Sequence, residues 1–195
     1  MTATTRSAIR QRRTKETNIA VRLALDGSGA AEVTTGLPFL DHLLRALAVH
    51  ARIDLEVKAS GDLEVDAHHT VEDVALVLGE AVTEALGDRS GIARYGDATV
   101  PLDEARVLVA LDCGGRAYAM VDLPLQGPVI GSLPSTLVPH FLETFAARAG
   151  LTLHLVGSGR DDHHVAEAAF KALARALRQG CAVDPVLAGR IASTK

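Results

Sequence analysis

Two stretches decide the fold: Ala67-His68-His69-Thr70-Val71-Glu72-Asp73 and Asp162-His163-His164-Val165-Ala166-Glu167-Ala168. Both read His-His-x-x-Glu, and the second pair follows the first by 95 residues, from His68 to His163. Each runs on into helical periodicity, with Val71, Val74, Ala75, Leu78, Val82 and Ala85 in one and Val165, Ala169, Leu173, Ala176 and Leu177 in the other. The correspondence continues upstream. Asp41-His42-Leu43-Leu44 and Pro139-His140-Phe141-Leu142 lie 98 residues apart, and each opens an apolar helix. Behind each helix comes an alternating strand, with Ile53, Leu55 and Val57 in the first copy and Leu151, Leu153 and Leu155 in the second. The offset then falls from 98 to 95, so the second loop is three residues shorter. Helix, strand, loop and histidine helix recur in order, which marks an internal duplication.

The rest of the chain fits the same unit. Residues 17–25 alternate as a strand ending at Asp26-Gly27, and 30–34 is expected to return beside it as a hairpin. Residues 106–112 and 116–121 are expected to form a second hairpin around Cys113-Gly114-Gly115. The expected fold class is α+β, with a basic N-terminal arm over 1–13, a first repeat over 14–89 and a second over 90–195 in one globular unit. Helices packed between two outward-facing sheets would bury the Ala-rich helix faces.

Composition narrows the function. The chain has 195 residues, 48% of them apolar and 23% charged, which excludes general disorder. A net charge of −4 gives no nucleic-acid signature, and 3% aromatics without Trp leave no stacking platform for single strands. The longest uncharged stretch, 123–142, carries Pro124, Pro128, Pro134 and Pro139 and reads as a loop entering a helix, not a membrane span. Two cysteines, Cys113 and Cys181, make no disulfide framework and fit a reducing compartment, so a cytoplasmic location is expected. The start, with Arg6, Arg10, Arg12, Arg13 and Lys15, lacks the apolar region of a secretory signal; a transit peptide stays open.

The histidine pairs read most economically as metal ligands. Successive helical residues diverge by about 100°, so neighbouring histidines point at different ions. The glutamate three and four positions on lies between them. With one histidine from each preceding helix, the set is His42, His68, His69, Glu72, His140, His163, His164 and Glu167, four ligands for each of two metals. No cysteine takes part, which argues against structural zinc; imidazole and carboxylate together suit Mn(II), Fe(II), Co(II) or catalytic zinc. A dinuclear hydrolase and a ferritin-like metal binder remain alternatives at this point. The hydrolase is disfavoured by few carboxylates, and the ferritin by the reversed motif order and the strands.

These motifs, together with Phe39-Leu40-Asp41-His42-Leu43-Leu44, Arg13-Thr14-Lys15-Glu16-Thr17, Gly91-Ile92-Ala93-Arg94-Tyr95-Gly96-Asp97-Ala98 and Ser193-Thr194-Lys195, resemble the imidazoleglycerol-phosphate dehydratase family over nearly the whole chain. The resemblance implies duplicated halves like the ribosomal S5 domain 2 fold. It implies conversion of imidazole-glycerol phosphate to imidazole-acetol phosphate in histidine biosynthesis, two Mn(II) ions per site, and a hollow homo-oligomer of twenty-four subunits with sites shared between copies. The substrate imidazole would bind the metals as imidazolate and expel the neighbouring hydroxyl through a diazafulvene-like intermediate. By the same resemblance Glu16 is the acid/base, lying outside the repeat on the first strand, and His50 is a substrate contact and the next candidate. Arg94, Arg116, Lys171, Ser193, Thr194 and Lys195 would bind phosphate. The sequence departs from the family at Ala46, where Gln is usual, at Leu43 and Leu102, where Met is more usual, and over 122–135.

Overall fold

The computed structural model describes residues 6–187 and 189–191; the tail residues Ser193, Thr194 and Lys195 lie outside them. The first half runs β1 (Ser7–Arg13), β2 (Thr17–Ala24), β3 (Ala31–Thr34), α1 (Pro38–Ala51), β4 (Asp54–Gly61) and α2 (His68–Leu86). The second runs β5 (Tyr95–Leu102), β6 (Ala105–Asp112), β7 (Tyr118–Asp122), β8 (Val129–Ile130), β9 (Leu133–Pro134), α3 (Leu137–Ala149), β10 (Thr152–Ser158) and α4 (Asp162–Gly180). The two large sheets have the same order, β1-β2-β4-β3 and β5-β6-β10-β7. The duplication seen in the histidine motifs therefore extends to every strand of the two large sheets, with β8 and β9 present in the second half alone.

Both expected hairpins are corrected. β3 pairs with β4 in parallel, not with β2, and β7 pairs in parallel with β10, not with β6. In each half the strand before the histidine helix takes an interior place beside β2 or β6, where its alternating apolar face (Leu55 and Val57; Leu153 and Leu155) is buried. The chain between β2 and β3 must then cross that strand. Asp54, at the start of β4, pins the crossing by accepting from the amides of Ser28, Gly29 and Ala30 at 2.8–3.1 Å. Six residues joining β2 to β3 are also more than the tight turn a hairpin prefers.

The basic start is not a solvated arm throughout: Ser7–Arg13 is an edge strand, antiparallel to β2 from Ser7↔Ala24 to Arg13↔Asn18. Its arginines remain on the surface, and only Ala8 of the strand is buried. Glu16 likewise lies in the turn between β1 and β2, not on a strand.

The helices fill the space between the sheets. α2 packs on β1 and β2, α4 on β5 and β6, and across the middle α2 meets α3 while α1 meets α4. Phe141, Phe145 and Phe170 form the aromatic centre, with Phe141 and Phe170 ring centroids 5.4 Å apart. The cross-pairing of helices matters most for function, because it brings residues of one half against residues of the other.

Candidate metal centre

Each histidine pair sits in the first turn of its helix because an aspartate stops the chain just before it. Asp66 accepts from the His68 amide at 2.7 Å, and Asp161 caps α4 by accepting from the His163 and His164 amides. Rings on consecutive first-turn residues then diverge, as the helix angle requires. The planes of His68 and His69 lie at 85°, those of His163 and His164 at 88°.

One member of each pair meets residues of the other half. His42 of α1 joins His163 and Glu167 of α4, and His68 and Glu72 of α2 join His140 of α3. Within each group the ligand atoms lie within 4.8 Å of one another. Metal–ligand bonds of about 2.1 Å place ligands roughly 3–4 Å apart, so small side-chain movements close either group on an ion. Two observations support the fit. The Nε2 atoms of His42 and His140 are buried without a hydrogen-bond partner, although each faces a carboxylate, Glu167 at 3.0 Å and Glu72 at 3.7 Å. The donor set, two imidazoles with one carboxylate and no sulfur, suits Mn(II), Fe(II), Co(II) or catalytic zinc.

Glu167 has more side-chain partners than Glu72. It receives Lys171 Nζ at 2.7 Å and His163 Nε2 at 3.2 Å. Burial works against its charged form, but the hydrogen bond from Lys171 first, and then the nearby His42, outweigh it and hold the carboxyl at about 2. Phe39 packs on His163 with ring centroids 5.0 Å apart, walling one side of this group.

The other two histidines are not brought into these groups. His69 turns to Asp62, which accepts from Nδ1 at 3.0 Å, and His164 turns to Glu104, which accepts from Nδ1 at 2.8 Å. Hydrogen bonding to these carboxylates raises both histidine pKa values. Glu104 is held at about 2, by His164 first and then by backbone amides. A single chain thus assembles three of each expected four ligands.

The remaining predicted residues scatter. His50, at the end of α1, has its pKa lowered by partial burial first and then by Lys171 and Arg175, against the opposing charge of Glu167. Arg94 is 4% exposed and carries Asp112 on Nε and Nη2 at 2.8 and 3.1 Å, next to exposed Arg116. Its backbone amide donates to Gly180 at the far end of α4. Thirteen helical residues separate Gly180 from Glu167, about 20 Å along the axis. Within one chain, then, Arg94 and the α4 ligands lie at opposite ends.

Sequence reasoning passed over several residues. Asp73 is buried and accepts from Arg12 Nε at 2.7 Å and from the Thr17 hydroxyl, which ties the β1–β2 turn to α2. Thr14 Oγ1 accepts from the Glu16 and Thr17 amides and tightens that turn. Cys113 and Cys181 lie together in the core with sulfurs 3.9 Å apart, a proximity their separation in sequence conceals.

Paired imidazole–carboxylate groups at the junction of duplicated halves are candidate metal sites of the kind metal-dependent enzymes use, and comparison with known proteins gives the family. A sequence model of the family described as imidazoleglycerol-phosphate dehydratase matches residues 35–177. The chain is 54% identical over 191 residues to the imidazoleglycerol-phosphate dehydratase of Moorella thermoacetica, covering 97% of each. It is 52% identical over 186 residues to that of Methanoculleus marisnigri, covering 94% of this chain and 95% of the relative. A crystal structure of the Pyrococcus furiosus enzyme in complex with (S)-C348 superposes with a TM-score of 0.81 at 35% identity, over 95% of this chain and 98% of that one. The chain belongs to the imidazoleglycerol-phosphate dehydratase family, and its enzyme class is dehydratase, a carbon–oxygen lyase.

Proposed function

We propose that this protein dehydrates imidazole-glycerol phosphate to imidazole-acetol phosphate and water, in histidine biosynthesis, at a site with two Mn(II) ions. The observation that carries the reading is the pair of three-atom groups, each with a buried histidine nitrogen that faces a carboxylate yet makes no hydrogen bond. His42, His163 and Glu167 would hold one ion, and His68, Glu72 and His140 the other. His69 and His164, facing away from both, would complete the shells of ions held by neighbouring copies. The 20 Å between Glu167 and the Arg94 end of α4 supports the same conclusion for Arg94, because substrate at the metals could reach that guanidinium only where copies meet. The assembly is read as a homo-oligomer of twenty-four subunits in the cytoplasm.

Bound there, the metals would supply the Lewis acidity that lets the substrate imidazole bind as imidazolate and release the neighbouring hydroxyl. The rest falls to the chain. Glu16, on a turn anchored through Thr17 and Arg12 to Asp73, would move the proton at the reacting carbon. His50, beside Lys171 and Arg175, would contact substrate. Arg94, oriented by Asp112, with Arg116, Lys171 and the tail Ser193, Thr194 and Lys195, would hold the phosphate.

Three variants measured side by side test the assignment. Glu16→Gln should keep Mn(II) and lose roughly 10²–10⁴ in kcat. Glu72→Gln and Glu167→Gln should lose metal occupancy, because an amide poorly replaces an anionic ligand. Metal loss in Glu16→Gln, or full turnover, would remove it from the acid/base role.

A further inference from the structure

Two carboxylates outside the ligand set hold the two ungrouped histidines, His69 and His164, in matching ways. Asp62, at the end of β4, takes the Nδ1 proton of His69 at 3.0 Å, with its second oxygen at 3.3 Å. Glu104, in the β5–β6 turn, takes the Nδ1 proton of His164 on Oε2 at 2.8 Å. Its other oxygen is fixed by the amides of Arg160 at 3.1 Å and Asp161 at 2.8 Å. The Nε2 atoms keep no hydrogen bond among the described residues; the nearest acid to His164 Nε2 is exposed Asp103 at 3.8 Å. A histidine whose Nδ1–H is held by a carboxylate has its lone pair on Nε2, the arrangement metal sites use to fix tautomer and direction.

The duplication adds a second observation. β2 and β6 correspond residue for residue, Thr17 with Ala105, so Glu16 and Glu104 occupy the same position in equivalent turns. Glu16 therefore does not lie outside the repeat. In the second half the turn glutamate is consumed by its histidine. In the first half Asp62 takes that place, and the Glu16 carboxylate makes no hydrogen bond among the described residues, although its charge acts on His69. The anchors differ to match: Asp73 and Thr17 fasten the first turn, where the second half has Ala168 and Ala105.

We propose that Asp62 and Glu104 are positioning residues that lock His69 and His164 with Nε2 presented outward for a divalent metal, and that Asp62, by replacing the turn glutamate in this duty, leaves Glu16 for substrate. The inference rests on the metal reading above and deepens it.

The test is a Mn(II) titration of the metal-stripped protein, following free Mn(II) by its electron paramagnetic resonance signal, with mass and melting temperature recorded in parallel. Asp62→Ala and Glu104→Ala should each weaken binding at the affected ion by roughly 10–100-fold. The conservative variants should differ from each other. In Asp62→Asn the amide oxygen can still accept from Nδ1–H, so affinity should fall only a few-fold. In Glu104→Gln the single oxygen cannot serve both the backbone amides and His164. Its NH2 group then faces Nδ1, which drives the proton to Nε2, so Glu104→Gln should approach Glu104→Ala while the metal-free protein melts as wild type. A purely structural role would instead lower the melting temperature of the metal-free variants and leave the Asn and Gln variants alike. If wild type and Glu72→Gln bind Mn(II) equally, the metal reading itself fails. If Glu72→Gln loses metal while all four variants bind as wild type, this proposal alone is overturned.

Discussion

Asp112→Asn tests the end of the molecule that holds Arg94. The guanidinium is 5% exposed and the carboxylate 15%, so little water screens them. Asp112 accepts from Arg94 Nε at 2.8 Å, from Nη2 at 3.1 Å and from the Gly114 amide at 2.8 Å. Removing one partner of such a buried pair costs about 3–5 kcal/mol. Asn keeps one accepting oxygen but not the charge, which brings the expected loss to about 2–3 kcal/mol. For a chain of this size that is a melting-temperature drop of roughly 4–12 °C at fixed protein concentration. The Asp112 pKa is lowered, by the hydrogen bonds from Arg94 first, so its stabilisation is complete above the unfolded carboxylate value and is lost as pH falls through the folded one. The gap between wild type and variant should therefore stay constant from pH 7 to about 5 and narrow below about 4. Thermal melts across that range measure it. An unchanged melting temperature at pH 7, or a gap of the same size at pH 3, would refute the buried-pair account.

Other consequences are independent of that pair. Asp73→Ala should release the β1–β2 turn and lower kcat through misplacement of Glu16 while Mn(II) content stays near wild type, checked by metal analysis beside steady-state kinetics. Phe170→Ala, at a fully buried position between the sheets, should cost about 3–5 kcal/mol, read by denaturant unfolding. Exhaustive chelation should yield smaller species by light scattering that regrow on adding Mn(II), since ions shared between copies link binding to assembly. An unchanged mass with metal verifiably gone would contradict sharing.

Much of this was legible in the sequence because it depends on local rules. The 100° step between His68 and His69 is a property of any helix, and the two side chains leave in different directions because of it. The alternation at Leu55 and Val57 likewise fixes a strand and its buried face. Strand order is different. Nothing local says that β4 lies between β2 and β3, since that choice is made by competition among buried faces far apart in the chain. Which three ligands meet is also set by packing, of α1 on α4 and α2 on α3. The equivalence of Glu16 and Glu104 was hidden by the β8–β9 insertion, which shifts the repeat from 88 residues in the strands (Thr17 to Ala105) to 98 at the helices (His42 to His140). That insertion also occupies the segment, 122–135, where the family resemblance was weakest.

The central claim is that metal held by these histidines performs the dehydration. Formation of imidazole-acetol phosphate from imidazole-glycerol phosphate, followed as Mn(II) is returned stepwise to stripped protein, tests it directly. Turnover should be absent without metal, rise with Mn(II) and level off at two ions per chain. Full turnover by protein shown to contain no metal, or none at two bound ions per chain, would contradict the account.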